Sequence, residues 1–371
     1  MNNQELNSRT MMKVAKRSDL YAGDTARNID PGIRAGRSTI SCALRGGFYG
    51  YALNALSVIW LALAVGFLLI PGVARAQQFV FEDISYPGDT FTQLLGINDA
   101  DVIAGYHGFA LNQGFTLTLP SSFTSENFPT GVGGTQVTGI NNSGNTSGFY
   151  IDSGGVNHGF LDTNGVFSTV DFPGTTFDQV LGLNNTGQAA GFFMNGAQQT
   201  AFIFNPSLPP MGQFALLNLP GSGQATDIND KGWVSGFYAT ATGDDGFLLR
   251  GCMLTALSFP GATVTEALGL NNLGQVVGFY NDAAGNPHGF IYSGGVFTAL
   301  NDPGATQTTV NGINNFGQIV GFALEPSGNT VGFVGAPLVC ARTSLVCWPS
   351  DPQPLSGCAF FVAGACSADL H

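Results

Sequence analysis

GINNFGQIVGF, from Gly312 to Phe322, reads as strand, tight turn, strand. Its Asn-Asn-x-Gly centre supplies turn formers, and Gly317 is free to take the positive φ that a two-stranded reversal needs. Five further copies precede it: GINDADVIAGY (96–106), GINNSGNTSGF (139–149), GLNNTGQAAGF (182–192), DINDKGWVSGF (227–237) and GLNNLGQVVGF (269–279). The Asn that ends each first strand falls at 98, 141, 184, 229, 271 and 314, spaced by 43, 43, 45, 42 and 43 residues. Seven residues after each Asn stands a Gly followed by an aromatic, and about eleven before it a Pro. A fixed period of this length marks a repeat architecture.

The unit between these markers divides into four short strands. In the fifth copy Thr263–Asn271 is a first strand, Gln275–Tyr280 a second, His288–Tyr292 a third and Val296–Asn301 a fourth, separated by Gly- and Asn-rich turns. Pro303-Gly304 cannot continue a ladder, so the unit boundary belongs there. Four antiparallel strands per unit are the blade of a β-propeller, whereas the coils of a β-helical solenoid are shorter. The marker order is similar to that of a WD40 repeat, although the Trp-Asp dipeptide is absent.

The expected fold is therefore all-β, a six-bladed propeller. Fourth strands occur near 78–85, 123–127, 165–172, 213–219, 253–259 and 295–301, but none follows the last copy. The N-terminal strand Gln78–Ser85 is the one left to complete the last blade, which leaves no open ring edge.

Composition fits short strands and tight turns. The chain has 371 residues, 53 of them Gly, with only 10% charged. Residues 1–45 are polar and basic, and residues 46–74 carry no charge. The apolar core ALSVIWLALAVGFLLI (55–70) and the Ala74-Arg75-Ala76 end predict a secretory signal within a leader spanning 1–76. An uncleaved span is the alternative, and a membrane partner is expected only in that case. The chain beyond residue 76 has three basic residues against twenty acidic ones, a net charge of −17. That excess excludes nucleic-acid binding and suits solubility. The expected location is outside the cell or in the envelope, as a monomer.

Copies such as HGFIYSGGVFTALNDPG (288–304) resemble the bacterial extracellular repeats named for a His-Ala-Phe tripeptide. The tripeptide is degenerate here: His158-Gly159-Phe160, His288-Gly289-Phe290, Thr200-Ala201-Phe202, Asp245-Gly246-Phe247, Val331-Gly332-Phe333 and Gln113-Gly114-Phe115. His107-Gly108-Phe109 looks like a copy but stands too close to Gly105, so spacing favours Gly114-Phe115. The resemblance covers about 78–335, within a propeller region that spans 77–335. It implies an exported repeat protein and no particular reaction.

The remaining tail, 336–371, reads as irregular. It holds Cys340, Cys347, Cys358 and Cys366, which in an exported protein suggest two disulfides of open pairing. No C-x-x-C spacing favours zinc. Cys252 reads as a lone thiol.

Catalytic signatures are missing: there is no G-x-S-x-G elbow, H-E-x-x-H, phosphate loop or dinucleotide fingerprint. His158 and His288 share one repeat position and read as structural, as do the turn Asn residues and the Gly-aromatic pairs. The repeat is broken chiefly in the loops between second and third strands. These loops place Asp152, Asp244, Asp245, Asp282 and Glu325 on one face as candidate ligand-binding residues, with Asp89, Asp178 and Asp302 near the links. Paired carboxylates suit a glycosidase or lyase, and oxygen ligands suit Ca²⁺, but no motif requires a cofactor. The expectation is a non-catalytic exported scaffold binding an extracellular glycan or protein through this loop face. The alternative is a secreted polysaccharide hydrolase or lyase that uses loop carboxylates.

Overall fold

In a computed structural model, residues 78–340 and 366–367 are described. The leader, its signal and its alternative as an anchor lie outside these residues, as does most of the tail. The described chain forms six four-stranded antiparallel sheets arranged as propeller blades. In the fifth blade the strands are Thr265–Leu270, Val276–Asn281, Pro287–Ser293 and Val296–Leu300, ordered outward from the channel. The other blades repeat this order.

The sixth blade is completed from the other end of the chain. Phe79–Ile84 pairs antiparallel with Thr330–Pro337, with Asp83 opposite Phe333. Blades one and six touch through a shared core in which Leu94 and Ile103 pack with Val320 and Val334. The expected closure is therefore present.

One residue per repeat builds the blade core. Phe115, Phe160, Phe202, Phe247, Phe290 and Phe333 occupy equivalent third-strand positions, and each is fully buried. Opposite each lies the Gly that follows the turn Asn by seven residues, as in Gly148 opposite Phe160. A Cβ on Gly148 would stand 2.1 Å from the Gln136 carbonyl and 2.7 Å from the Phe160 ring. The missing side chain is thus the space that the Phe fills. Pairing of Gly105 with Phe115 puts Gln113-Gly114-Phe115 in this register and leaves His107 in the second strand.

Five of the six interblade links are held by a residue at or next to the start of the next inner strand. Thr92, Thr135, Asp178, Thr265 and Thr308 accept from the backbone N–H of Tyr86, Phe128, Phe172, Phe259 and Asp302 respectively, at 2.9–3.1 Å. The link aromatics then stack on the blade that follows, as Phe128 does on Tyr150 and Phe259 on Tyr280.

Two details differ from expectation. Cys252 is disulfide-bonded, and its partner is a cysteine whose side chain lies outside the described residues. Spacing alone had left it odd because a bond between a blade turn and a distant segment has no local signature. In the tail, Val339–Cys340 pairs with Cys366–Ser367, setting Cys340 opposite Cys366 in the backbone register.

Candidate functional site

The inner strands surround a central channel whose two ends are built differently. At the turn end, the repeated Asn residues close two hydrogen-bonded rings. In the first, each Asn side chain donates to the carbonyl of its counterpart in the next blade. The order is Asn98 to Asn141, to Asn184, to Asn229, to Asn271, to Asn314 and back to Asn98, at 3.0–3.3 Å. Each Oδ1 meanwhile accepts two N–H groups of its own turn, as Asn271 does from Leu273 and Gln275. The second ring joins the next residues along. Backbone N–H groups of Asp99, Asn142, Asn185, Asp230, Asn272 and Asn315 each donate to the following side chain, at 2.7–2.9 Å. Asp99 also accepts from the side chains of Asn142 and Asn315, and Asp230 from those of Asn185 and Asn272. Burial opposes ionisation of Asp230, but these bonds outweigh it and hold its carboxyl below the usual range.

Between the rings and the channel middle the inner strands meet at glycines. A Cβ on Gly96 would lie 3.2 Å from the Gly139 Cα, and one on Gly139 would lie 3.2 Å from the Gly182 Cα. Asp227 replaces the Gly in the fourth blade. Its carboxylate accepts from the Ile228 and Leu270 backbone N–H groups, both at 2.8 Å, and so bridges to the fifth blade. Burial pushes its pKa up to about 7.

The loop-face end is different. There a cavity of about 90 Å³ opens between the blades. One layer of its wall comes from β-bulges, which turn one extra residue per inner strand inward. The bulged residues alternate Leu95, Thr138, Leu181, Thr226, Leu268 and Asn311 around the ring. Thr138 and Thr226 donate across to the Val180 and Ala267 carbonyls. Nearer the loops, Gln136, Gln179, Gln224 and Glu266 line the cavity with Tyr106, Phe149, Phe192 and Phe237. The Tyr106 hydroxyl donates to Gln93, which holds the first position of the same layer.

Gln224, Glu266 and the Asn311 Oδ1 in this wall lack a hydrogen-bond partner among the described residues. Glu266 is 6% exposed, and among the described residues no hydrogen bond reaches its carboxyl group. Desolvation raises its pKa to about 8, with a smaller contribution from Asp244. Asn311 is 7% exposed, and its Oδ1 accepts nothing. Neither was singled out by sequence. The signal was in the repeat: five residues before each turn Asn stand Gln93, Gln136, Gln179, Gln224, Glu266 and Thr309. The aromatics after the conserved-spacing Gly likewise do more than pack blades, since four of them face the cavity.

The five loop acids lie in four blades. Asp152 Oδ1 accepts from Gly154 and Val156 N–H, and Asp282 Oδ1 from Ala284 and Asn286 N–H. Both cap their own turns. Hydrogen bonds from the Asn286 backbone and side chain bring the Asp282 pKa down to about 2, and those from Val156 and Gly154 lower that of Asp152. Their second oxygens face His158 and His288, at 3.5 and 3.2 Å. Asp245 accepts from Ser258, and Glu325 from Ser327. Asp244 is the one within electrostatic reach of Glu266. Among the described residues, no cluster of three or more acidic, His or Cys side chains suits a metal ion.

Of the link acids, Asp89 pairs with His107 at 2.9 Å, and Asp178 caps the Phe172 N–H. Asp302 takes the link position held by Tyr86, Phe128, Phe172 and Phe259 elsewhere. It is 6% exposed and lies against Asp83 of the closing strand. Desolvation, then Asp83 and Glu325, raise its pKa to about 7.

No known family profile matches the sequence, and no curated protein matches it. Solved structures do. A protein assigned as TolB from Agrobacterium tumefaciens is 13% identical at a TM-score of 0.50, covering 66% of this chain and 89% of that one. Virginiamycin B lyase from Staphylococcus aureus is 13% identical at a TM-score of 0.43, over 69% of this chain and 88% of that one. The lectin SapL1, solved with α-methyl fucoside, is 9% identical at 0.47, over 67% and 92%. At these identities the likeness extends to the fold alone, and the fold is that of a β-propeller.

Proposed function

We propose that the protein is an exported, non-catalytic binding propeller that takes an extracellular or envelope ligand at the loop-face end of its channel. The ligand is a glycan in preference to a protein. The observation that carries this reading is the cavity wall, where amides and aromatics surround polar groups without partners, Glu266 and Asn311 among them. Pockets that combine apolar walls with a few convergent polar groups are the usual form of a small-molecule site. Side chains that both donate and accept, such as Gln136, Gln179 and Gln224, match sugar hydroxyls, which also do both. Export is inferred from the leader's apolar run and its small-x-small end.

The loop acids give the enzymatic reading less support. Four of the five are engaged by groups of their own blade, and they are spread over four blades. A glycan-array screen of the purified protein, with and without Ca²⁺, tests the proposal when followed by product analysis on every hit. Binding without turnover is the expected result. Turnover that disappears on changing Asp244 or Asp282 would replace a binding protein with a hydrolase or lyase. Dependence on Ca²⁺ would add a cation that the proposal does not require.

A further inference from the structure

The cavity is uneven in a way that names its ligand. Four blades place a Gln at the layer nearest the loops, and the fifth places Glu266. The next blade around adds Asn311, with its Oδ1 unanswered. Blades five and six therefore present two acceptors and no donor for them, whereas Thr138 and Thr226 of the preceding even blades are satisfied by neighbouring carbonyls.

An unpaired carboxyl group in such a place is a burden on folding. Burying an ionisable group without a partner is unfavourable, and a Gln of the same shape would avoid it, as the other copies demonstrate. Residues that break a local rule without a structural return are found where function needs them. What would answer both acceptors is a donor-rich cation. A protonated amine has three donors and a charge opposite to that of Glu266. Aromatic rings of Phe237 and Tyr106 in the same wall add a surface that attracts cations.

We infer that the cavity admits the protonated amine of an amino sugar, with Glu266 as its counter-ion and Asn311 Oδ1 as a second acceptor. This rests on the glycan-binding reading of the same site. The sugar hydroxyls meet the amide layer while the ammonium group faces blades five and six. No bond is made or broken, and no metal is involved.

The test uses the full-length protein and calorimetric titration near neutral pH, where the proton that burial keeps on Glu266 is released to solvent as the ammonium group enters. The probes are a short β-linked glucosamine oligomer and its fully N-acetylated form, which keeps the ring hydroxyls and loses the charge. The variant is Glu266→Gln, which installs the residue that four blades already carry and so preserves the fold. Wild type is expected to favour the free amine by about ten-fold or more, the scale of one charge-assisted contact. Glu266→Gln should erase that preference while binding the acetylated form as wild type does.

A preference that survives in Glu266→Gln would place the amine elsewhere on this acidic surface and overturn the inference. Equal binding of both probes would also overturn it, yet leave the glycan site standing. Failure of both probes, with other glycans bound in the array, would remove amino sugars and retain the site. Failure of every glycan would remove both.

Discussion

At the turn end of the channel, six Asn side chains donate to six carbonyls and the ring closes on itself. At the loop end, the corresponding layer runs Gln, Gln, Gln, Gln, Glu, Thr, and both its Glu266 carboxyl and the neighbouring Asn311 Oδ1 accept nothing from the described residues. Both ends come from the same inner strands, only five residues apart in each copy. Where the copies agree, each residue is a partner for its own counterpart, and the surface has nothing left to offer. Where they disagree, rotational pairing fails, and the unmatched groups become available to a ligand. In a repeat protein, departure from the repeat is therefore more informative about function than the motif that defines it.

The comparison breaks most sharply at the ring. Asn271→Ala removes a donor to the Asn314 carbonyl and an acceptor for two N–H groups, leaving buried polar atoms unpaired. It should destabilise the protein by roughly 3 kcal/mol in urea unfolding. Any ligand affinity of the folded fraction should be unchanged, because the ring and the cavity face opposite ends. A large loss of affinity at full folding would join the two ends functionally and dissolve the contrast.

Glu266→Gln should act in the opposite sense. A carboxyl whose folded pKa lies near 8, against a usual 4.5, favours the native state less as pH rises through that window. Replacing it with a neutral isostere should stabilise the protein by roughly 2 kcal/mol at alkaline pH and by little at mildly acidic pH. Chemical denaturation at the two pH values checks this. A destabilising Glu266→Gln at both would mean that the carboxylate has a structural partner.

The third test concerns the Asp302–Asp83 contact in the closing blade. The raised pKa of Asp302 makes closure most favourable when Asp302 is protonated, with stability lost as pH rises through neutrality. Asp302→Asn keeps a donor toward Asp83 without the titration. The melting temperature of wild type should fall between mildly acidic and alkaline pH, and that of Asp302→Asn should fall less. Equal slopes would assign the dependence to Glu266 and Asp227 instead.

The smallest effect is expected in the loops. Asp282→Asn retains a side-chain oxygen for the Ala284 and Asn286 N–H groups, so the turn survives. Stability at neutral pH should change less than in any of the preceding variants, because solvent screens the exposed carboxylate. The low pKa of Asp282 means that its contribution is present above the usual carboxylate range and disappears only in strong acid. Acid titration followed by NMR would show this midpoint vanish in the variant.

The blade grammar was legible because it is local. Asn-Asn-x-Gly dictates a turn wherever it occurs, and Pro-Gly ends a ladder regardless of its surroundings. Closure by the N-terminal strand was legible by counting, since one fourth strand was missing at one end and one was spare at the other. The cavity was not legible in the same way. Nothing in TVTEALGLN says that Glu266 faces a channel, because that channel exists only after six strands from 216 residues of separation have been brought together. Loop acids draw attention because they lie in exposed turns, yet Asp152 and Asp282 are answered by N–H groups two and four residues away. Cys252 could not be paired by spacing because the next cysteine along the chain, Cys340, stands far off in sequence.

The strand Phe79–Ile84 is the first part of the propeller to leave the ribosome and the last whose place can be filled. Until Thr330–Pro337 has been made, it has no ladder to join, and blades one and five flank an open gap. Completion is thus a test of length: a chain truncated anywhere in its final blade leaves its own beginning undocked. The same geometry sets Phe79 opposite Pro337, so the chain could be cut in the link after Ser85 and rejoined by a short hairpin from Pro337 to Phe79, with every blade then continuous. Such a permuted protein would keep each contact of the native one and lose only its dependence on having been finished.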